Sequence, residues 1–264
     1  MKRVPPRLYR YRSLDSLDPV TKEPIVQRII LHGEHYFPSP RQLNDPFECR
    51  PLAGFSPKGA NTRAHLGALV KRARPDAKPA KRLQLAAQMK RMPRLQRGQM
   101  EGVGLLSLSE LPDSPLMWAH YADTHRGVCL EFETSKWLFQ LAWEVVYQDT
   151  YPFVDTANQS YLDIHRTVAC TKATYWDYEK EWRIVSYVNN DGSALAKLGL
   201  DGQMTGPGLH IAPVETLTGV VFGLDCDSEK QNDVRTWVKD AGLSCSFRKV
   251  ELDDGQFKFN LVSC

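Results

Sequence analysis

The sequence predicts an α+β fold: one mixed domain over 1–264 with a helical basic insertion at 58–100. Three observations lead there. Strand-length and helix-length segments alternate without the regular strand–helix–strand rhythm of a doubly wound sheet. A composition of 42% hydrophobic and 25% charged residues suits a packed soluble chain and excludes wholesale disorder. Finally, 58–100 stands apart from the rest in charge, with twelve Lys/Arg against the single acid Asp76.

Leu8–Arg12 is the first strand, aromatic-rich and preceded by Pro5 and Pro6. Ile25, Val26, Ile29 and Ile30 share a helical face that Gly33 ends. His35–Phe37 reads as a short strand, followed by the turn-rich LNDPFE. The basic segment reads as helices near 60–73 and 79–92, parted by Pro75 and Pro79. Val103–Ser109 is a largely apolar strand. Ser114 and Pro115 then open a helix through Met117, Trp118 and Tyr121, with proline at the first helical position. Gly127–Glu133 alternates as a strand. A short helix in TSKWLFQL, a strand at Glu144–Tyr147 and a helix near 157–170 come next. Glu181–Val188 and Thr218–Phe222 are strands, Asp227–Ala241 is a helix stopped by Gly242, and two strands close the chain.

No run approaches the roughly 18 apolar residues of a membrane span, so no membrane contact is expected. The opening MKRVPPRLYR is basic but has no apolar stretch, which argues against a secretory signal. Six cysteines are scattered without a CxxC pair, and reduced thiols in a cytoplasmic protein are the expectation. The net charge of +3 divides into +11 over 58–100 and −8 over the remainder. Most charge runs are solvated helix faces. Here Lys71, Arg72, Arg74, Lys81, Arg82, Lys90 and Arg91 are also candidates for backbone-led, salt-sensitive contact with nucleic-acid phosphates.

The common phosphate, zinc and serine-hydrolase motifs are absent. His120 and His125 in HYADTH are five residues apart and point apart on one helix, so a packed pair is favoured over metal ligation. Asn44, Asp45 and Pro46 signal a turn anchoring Phe47 in the core, with Glu48 left open. The most loaded stretch is WDYEKEWR. Glu179 and Glu181 share a side there, and Arg183 has the parity to neutralise them as a surface ladder. Tyr175, Trp176, Tyr178 and Trp182 would make a partly dry wall, in which a carboxylate acts more strongly on developing positive charge.

LNDPFE, LSLSE, MWAHYADTHRGVCLEFET and WDYEKEWRI, in that order, resemble the bacterial family catalogued as domain of unknown function 2971. A second resemblance, to toxin-type ADP-ribosyltransferases of the Arg–Ser–Glu class, rests on Arg10 in the first strand, Ser107-Leu-Ser109 ending another, and Glu179-Lys-Glu181 entering a third. It implies a split, mainly antiparallel sheet and an NAD-consuming enzyme, such as a toxin or phage-defence effector with a nucleic-acid or protein target or a cognate antitoxin. In that resemblance Arg10, or Arg12 of like parity, grips an NAD phosphate, and Ser107 and Ser109 hold the nicotinamide side beside Tyr121 and Trp176. Glu181 stabilises the oxocarbenium ion, Glu179 orients the nucleophile, and no metal is expected. Two alternatives stand beside it. One is a metal-dependent nuclease or phosphoesterase using Asp45, Glu48, Glu179 and Glu181 around Mg²⁺. The other is a non-enzymatic nucleic-acid or partner-binding module.

Overall fold

The computed structural model describes residues 3–54, 100–187 and 205–264, together with the isolated positions 64, 67, 68, 70, 71, 75, 76, 78, 81 and 84. Lys71 and Lys81 are exposed, whereas Arg72, Arg74, Arg82, Lys90 and Arg91 lie outside the described residues. The chain forms two compact units. One comprises Met1–Ser39, Gly102–Val145 and Tyr175–Cys264; the other comprises Pro40–Glu101 and Val146–Thr174. The second unit therefore reaches beyond the basic segment on which the sequence-based division rested.

In chain order the strands are β1 (Arg7–Arg12), β2 (Glu34–Phe37), β3 (Leu52–Gly54), β4 (Val103–Ser109), β5 (Val128–Glu133), β6 (Trp143–Glu144) and β7 (Val146–Tyr147). They continue as β8 (Phe153–Asp155), β9 (Thr171–Lys172), β10 (Glu181–Tyr187), β11 (Gly208–Ile211), β12 (Leu217–Phe222), β13 (Ser246–Leu252) and β14 (Phe259–Ser263). The helices are α1 (Ile25–His32), α2 (Pro115–Tyr121), α3 (Tyr161–Ala169) and α4 (Ser228–Asp240).

The first unit is built on an eight-stranded sheet of order β14-β13-β12-β5-β1-β4-β10-β6. Its neighbours are antiparallel except β12 and β13. The sheet is continuous by pairing, so the expected division into two sheets is not seen. Its weakest seam is nonetheless between β1 and β4, which meet at the single pair Tyr9↔Ser109. Past that pair the ribbon of β2 and β11 lies alongside, and the Leu105 N–H donates to the Pro38 carbonyl at 2.9 Å.

Strand alternation sorts the side chains to two faces. Leu8, Leu106, Leu108, Leu130, Phe132, Trp182 and Ile184 form one core with Val26, Ile29 and Ile30 of α1 and Val234 and Val238 of α4. Tyr9, Tyr11, Cys129, Val221 and Val250 form another with Met117 and Trp118 of α2. Helix α1 has its three buried residues, Val26, Ile29 and Ile30, on one stripe and ends at Gly33, whose φ of 65° is left-handed. A Cβ at Gly33 would lie 1.9 Å from the Ala212 carbonyl oxygen, so only glycine fits this close approach. Helix α4 begins at Asp227, whose carboxylate accepts the Glu229 and Lys230 N–H groups.

The second unit pairs β3 with β8 and β7 with β9, both parallel, and packs α3 against β8. It buries the ion pair Lys172–Glu48, at 3.2 Å. The LNDPFE turn forms as Asp45 Oδ1 accepts the Phe47 N–H at 2.8 Å, but the burial is the reverse of that expected. Phe47 is 55% exposed, while Asp45 and Glu48 are buried.

Two local readings change. The strand expected at Glu144–Tyr147 breaks at Val145, so that β6 pairs with β10 and β7 with β9. TSKWLFQL forms a 3-10 turn over Trp137–Leu141, entered through Trp137 at φ 52°.

Candidate functional site

The face of β1 toward α1 carries Arg10 and Arg12 among apolar neighbours. Arg10 is 6% exposed; its Nη1 donates to His35 Nδ1 at 2.9 Å and its Nη2 lies 3.4 Å from the Tyr36 carbonyl. Arg12 is partly buried, and its Nε is enclosed without a hydrogen-bond partner. Among the described residues, neither guanidinium has a carboxylate within ion-pairing distance. Burial, followed by repulsion from Arg12, holds the Arg10 pKa well below its usual range, and burial lowers that of Arg12 to about 10.

His35 sits at the centre of this cluster. Its ring lies 5.2 Å from Phe132, 5.5 Å from Trp137 and 5.7 Å from Phe139. Burial, then the charges of Arg10 and Arg12, then His210, push its pKa well below the usual histidine value. His35 is therefore neutral. Because Nδ1 accepts from Arg10, its proton resides on Nε2. His210 pairs with His35 across the β2–β11 ribbon and donates from Nε2 to the Gly206 carbonyl at 2.9 Å. The Trp137 indole N–H is also enclosed without a partner. Among the described residues, the cluster thus presents two positive charges with no carboxylate to balance them, and two donor groups without partners. Leaving such groups unanswered is costly: about 1–3 kcal/mol for each neutral donor and more for a charge.

The opposite face is also polar, but its charges are matched. Glu181 is 4% exposed, and its two oxygens meet Arg183 Nε and Nη2 at 2.7 and 3.0 Å. Glu179 accepts from the Tyr121 hydroxyl at 2.7 Å, and its backbone carbonyl accepts from Ser109 Oγ at 2.7 Å. Lys180, between the two glutamates, is held at φ 43°. Glu131 accepts from Arg248 and from the Thr218 hydroxyl at 3.1 Å, and pairs with Arg7 at 3.2 Å. The Glu–Arg ladder expected at the surface thus exists as a buried one.

Register decides which of the expected site residues meet. Tyr9 lies opposite Ser109, and Ser109 opposite Glu181, so these three share one face. Arg10, one residue along, projects to the other, as does Arg12. Arg10 and Glu181 therefore do not flank one dinucleotide, which corrects the arrangement implied by the ADP-ribosyltransferase resemblance. Ser109, Tyr121 and Glu179 do come together; Ser107 is exposed, and the Trp176 ring lies 6.0 Å from that of Tyr178. Asp45 and Glu48 belong to the second unit, and Glu179 and Glu181 to the first. Among the described residues no group of three or more His, Cys, Asp or Glu is placed to hold a metal ion. None of their helices is long and apolar enough to cross a membrane.

Sequence reasoning did not single out His35 or Trp137 as site residues. Each sits within an apolar-looking element, and their polar role arises from neighbours 25 residues or more away. No curated protein and no solved structure matches the chain. Residues 117–184, which span α2, β5, the Trp137 turn and the two glutamates, are similar to a family described as a protein of unknown function (DUF2971).

Proposed function

We propose that this chain binds a phosphate-bearing anionic ligand on the α1 side of β1. Arg10 and Arg12 are its charged contacts, the Trp137 indole N–H is a further donor, and neutral His35 orients the Arg10 fork. The observation that carries this reading is the pair of guanidiniums with no carboxylate within ion-pairing distance among the described residues. Arginine presents planar donors matched to phosphate oxygens, and an oxyanion would answer both charges at once. A dinucleotide such as NAD is one ligand of this kind. Transfer chemistry through Glu181 is not part of the proposal, because that carboxylate is on the other face and already meets Arg183.

Calorimetric titration of the full chain with phosphate-bearing ligands tests the reading. Wild type should bind, and Arg10→Gln and Arg12→Gln should each lose at least about tenfold in affinity, the loss of one charge-assisted contact. Undiminished binding in both variants would refute it.

A further inference from the structure

The polar groups around His35 are strongly one-sided. Arg10 and Arg12 of β1 and the Trp137 indole all carry donors, and Arg12 Nε and the Trp137 indole N–H have no partner. Of the acceptors beside them, His35 Nδ1 takes Arg10 Nη1 and the Tyr36 carbonyl takes Arg10 Nη2. From β11, His210 uses its Nε2–H on the Gly206 carbonyl. Among the described residues, Arg10, Arg12, His35 and His210 are the titratable groups that interact here, and no carboxylate contributes to the balance. A ligand oxygen that kept its proton would add one more donor to a set that already holds more donors than acceptors. A ligand with a single negative charge would leave one guanidinium unanswered in an apolar setting.

From this donor-rich, doubly positive arrangement we infer that the site selects a fully deprotonated, doubly charged tetrahedral oxyanion: the terminal phosphate of a monoester or free phosphate, in preference to a phosphodiester or a carboxylate. The inference rests on the reading that Arg10 and Arg12 hold an anion, and it adds the charge and protonation state of that anion. Arg12, the more accessible of the two, marks the side from which a substituent on the phosphate would leave the site.

The test is a set of calorimetric titrations of the full chain at pH 7.5 and pH 5.0. The probes are glycerol 2-phosphate, inorganic phosphate, sulfate, dimethyl phosphate, acetate and NAD. A monoester has its second pKa near 6, so its doubly charged fraction falls about tenfold between these pH values, whereas sulfate keeps both charges. Monoester affinity should therefore fall about tenfold at pH 5.0 while sulfate affinity holds. Dimethyl phosphate and acetate should bind at least about tenfold more weakly than the monoester. Trp137→Phe should weaken the doubly charged anions about threefold to tenfold, the loss of one neutral donor. A preference between glycerol 2-phosphate and inorganic phosphate identifies the source, and either one supports the inference.

NAD or dimethyl phosphate binding as tightly as the monoester would overturn the inference while leaving the anion reading intact. So would a parallel fall of sulfate and monoester with pH. Absence of binding by every anion, with the wild-type fold confirmed by its melting transition, would instead refute the underlying reading.

Discussion

The two faces of one sheet solve the same electrostatic problem differently. Toward α2, each buried carboxylate has its answer: Glu181 has Arg183, Glu131 has Arg7 and Arg248, and Glu179 has the Tyr121 hydroxyl. Toward α1, Arg10 and Arg12 have a neutral histidine, a carbonyl and each other. Buried charge is ordinarily tolerated because it is paired. The matched face needs nothing further to be stable. The unmatched face is stable only because the rest of the fold sustains it, and the anion proposal rests on that imbalance.

Substitutions can break this contrast. Arg183→Met should have the largest effect, since it takes a bidentate guanidinium from buried Glu181; about 3–5 kcal/mol of stability would be lost, read as a lower chemical-denaturation midpoint. Next, Tyr121→Phe removes a donor from buried Glu179 and should cost about 1.5–3 kcal/mol by the same measurement. Arg10→Met should run the other way. In buffer free of phosphate and sulfate it should leave stability unchanged or raise it by about 1 kcal/mol, because an unpaired charge is replaced by an apolar chain. A loss of several kcal/mol in Arg10→Met would erase the distinction between the faces.

A further test concerns pH. The folded pKa of His35 is depressed well below 6.5, so below that value the unfolded chain binds a proton that the folded chain does not. Unfolding free energy should then decline as pH falls through about 6.5, with a slope of up to about 1.4 kcal/mol per pH unit from this group. Above that window the contribution is flat. His35→Gln should flatten this part of the profile in paired denaturation series.

Much of the fold was legible because its signals are local. The apolar stripe of α1 with Gly33 behind it, the Ser114-Pro115 start of α2 and the alternation of β5 each lie within a few residues of chain. The two- and three-residue strands β3, β8 and β9 are too short to display a period and leave no local signal. The Glu181–Arg183 pair was legible for the same reason as the helices, since residues i and i+2 of a strand share a face. Phe47 shows the opposite case: an apolar residue in a turn looked like a core anchor, yet the backbone turns it outward.

By itself, then, the sequence determined an α+β chain with a paired-carboxylate strand, an arginine-bearing first strand and a separate basic segment, because propensity and periodicity are properties of short stretches. The tertiary structure alone decided that Arg10 and Glu181 face away from each other and that His35 and Trp137 join the arginines. Those outcomes depend on which residue of β4 lies beside Tyr9 and on where the β2–β11 ribbon lies, and strand register between distant segments leaves no mark in either segment alone.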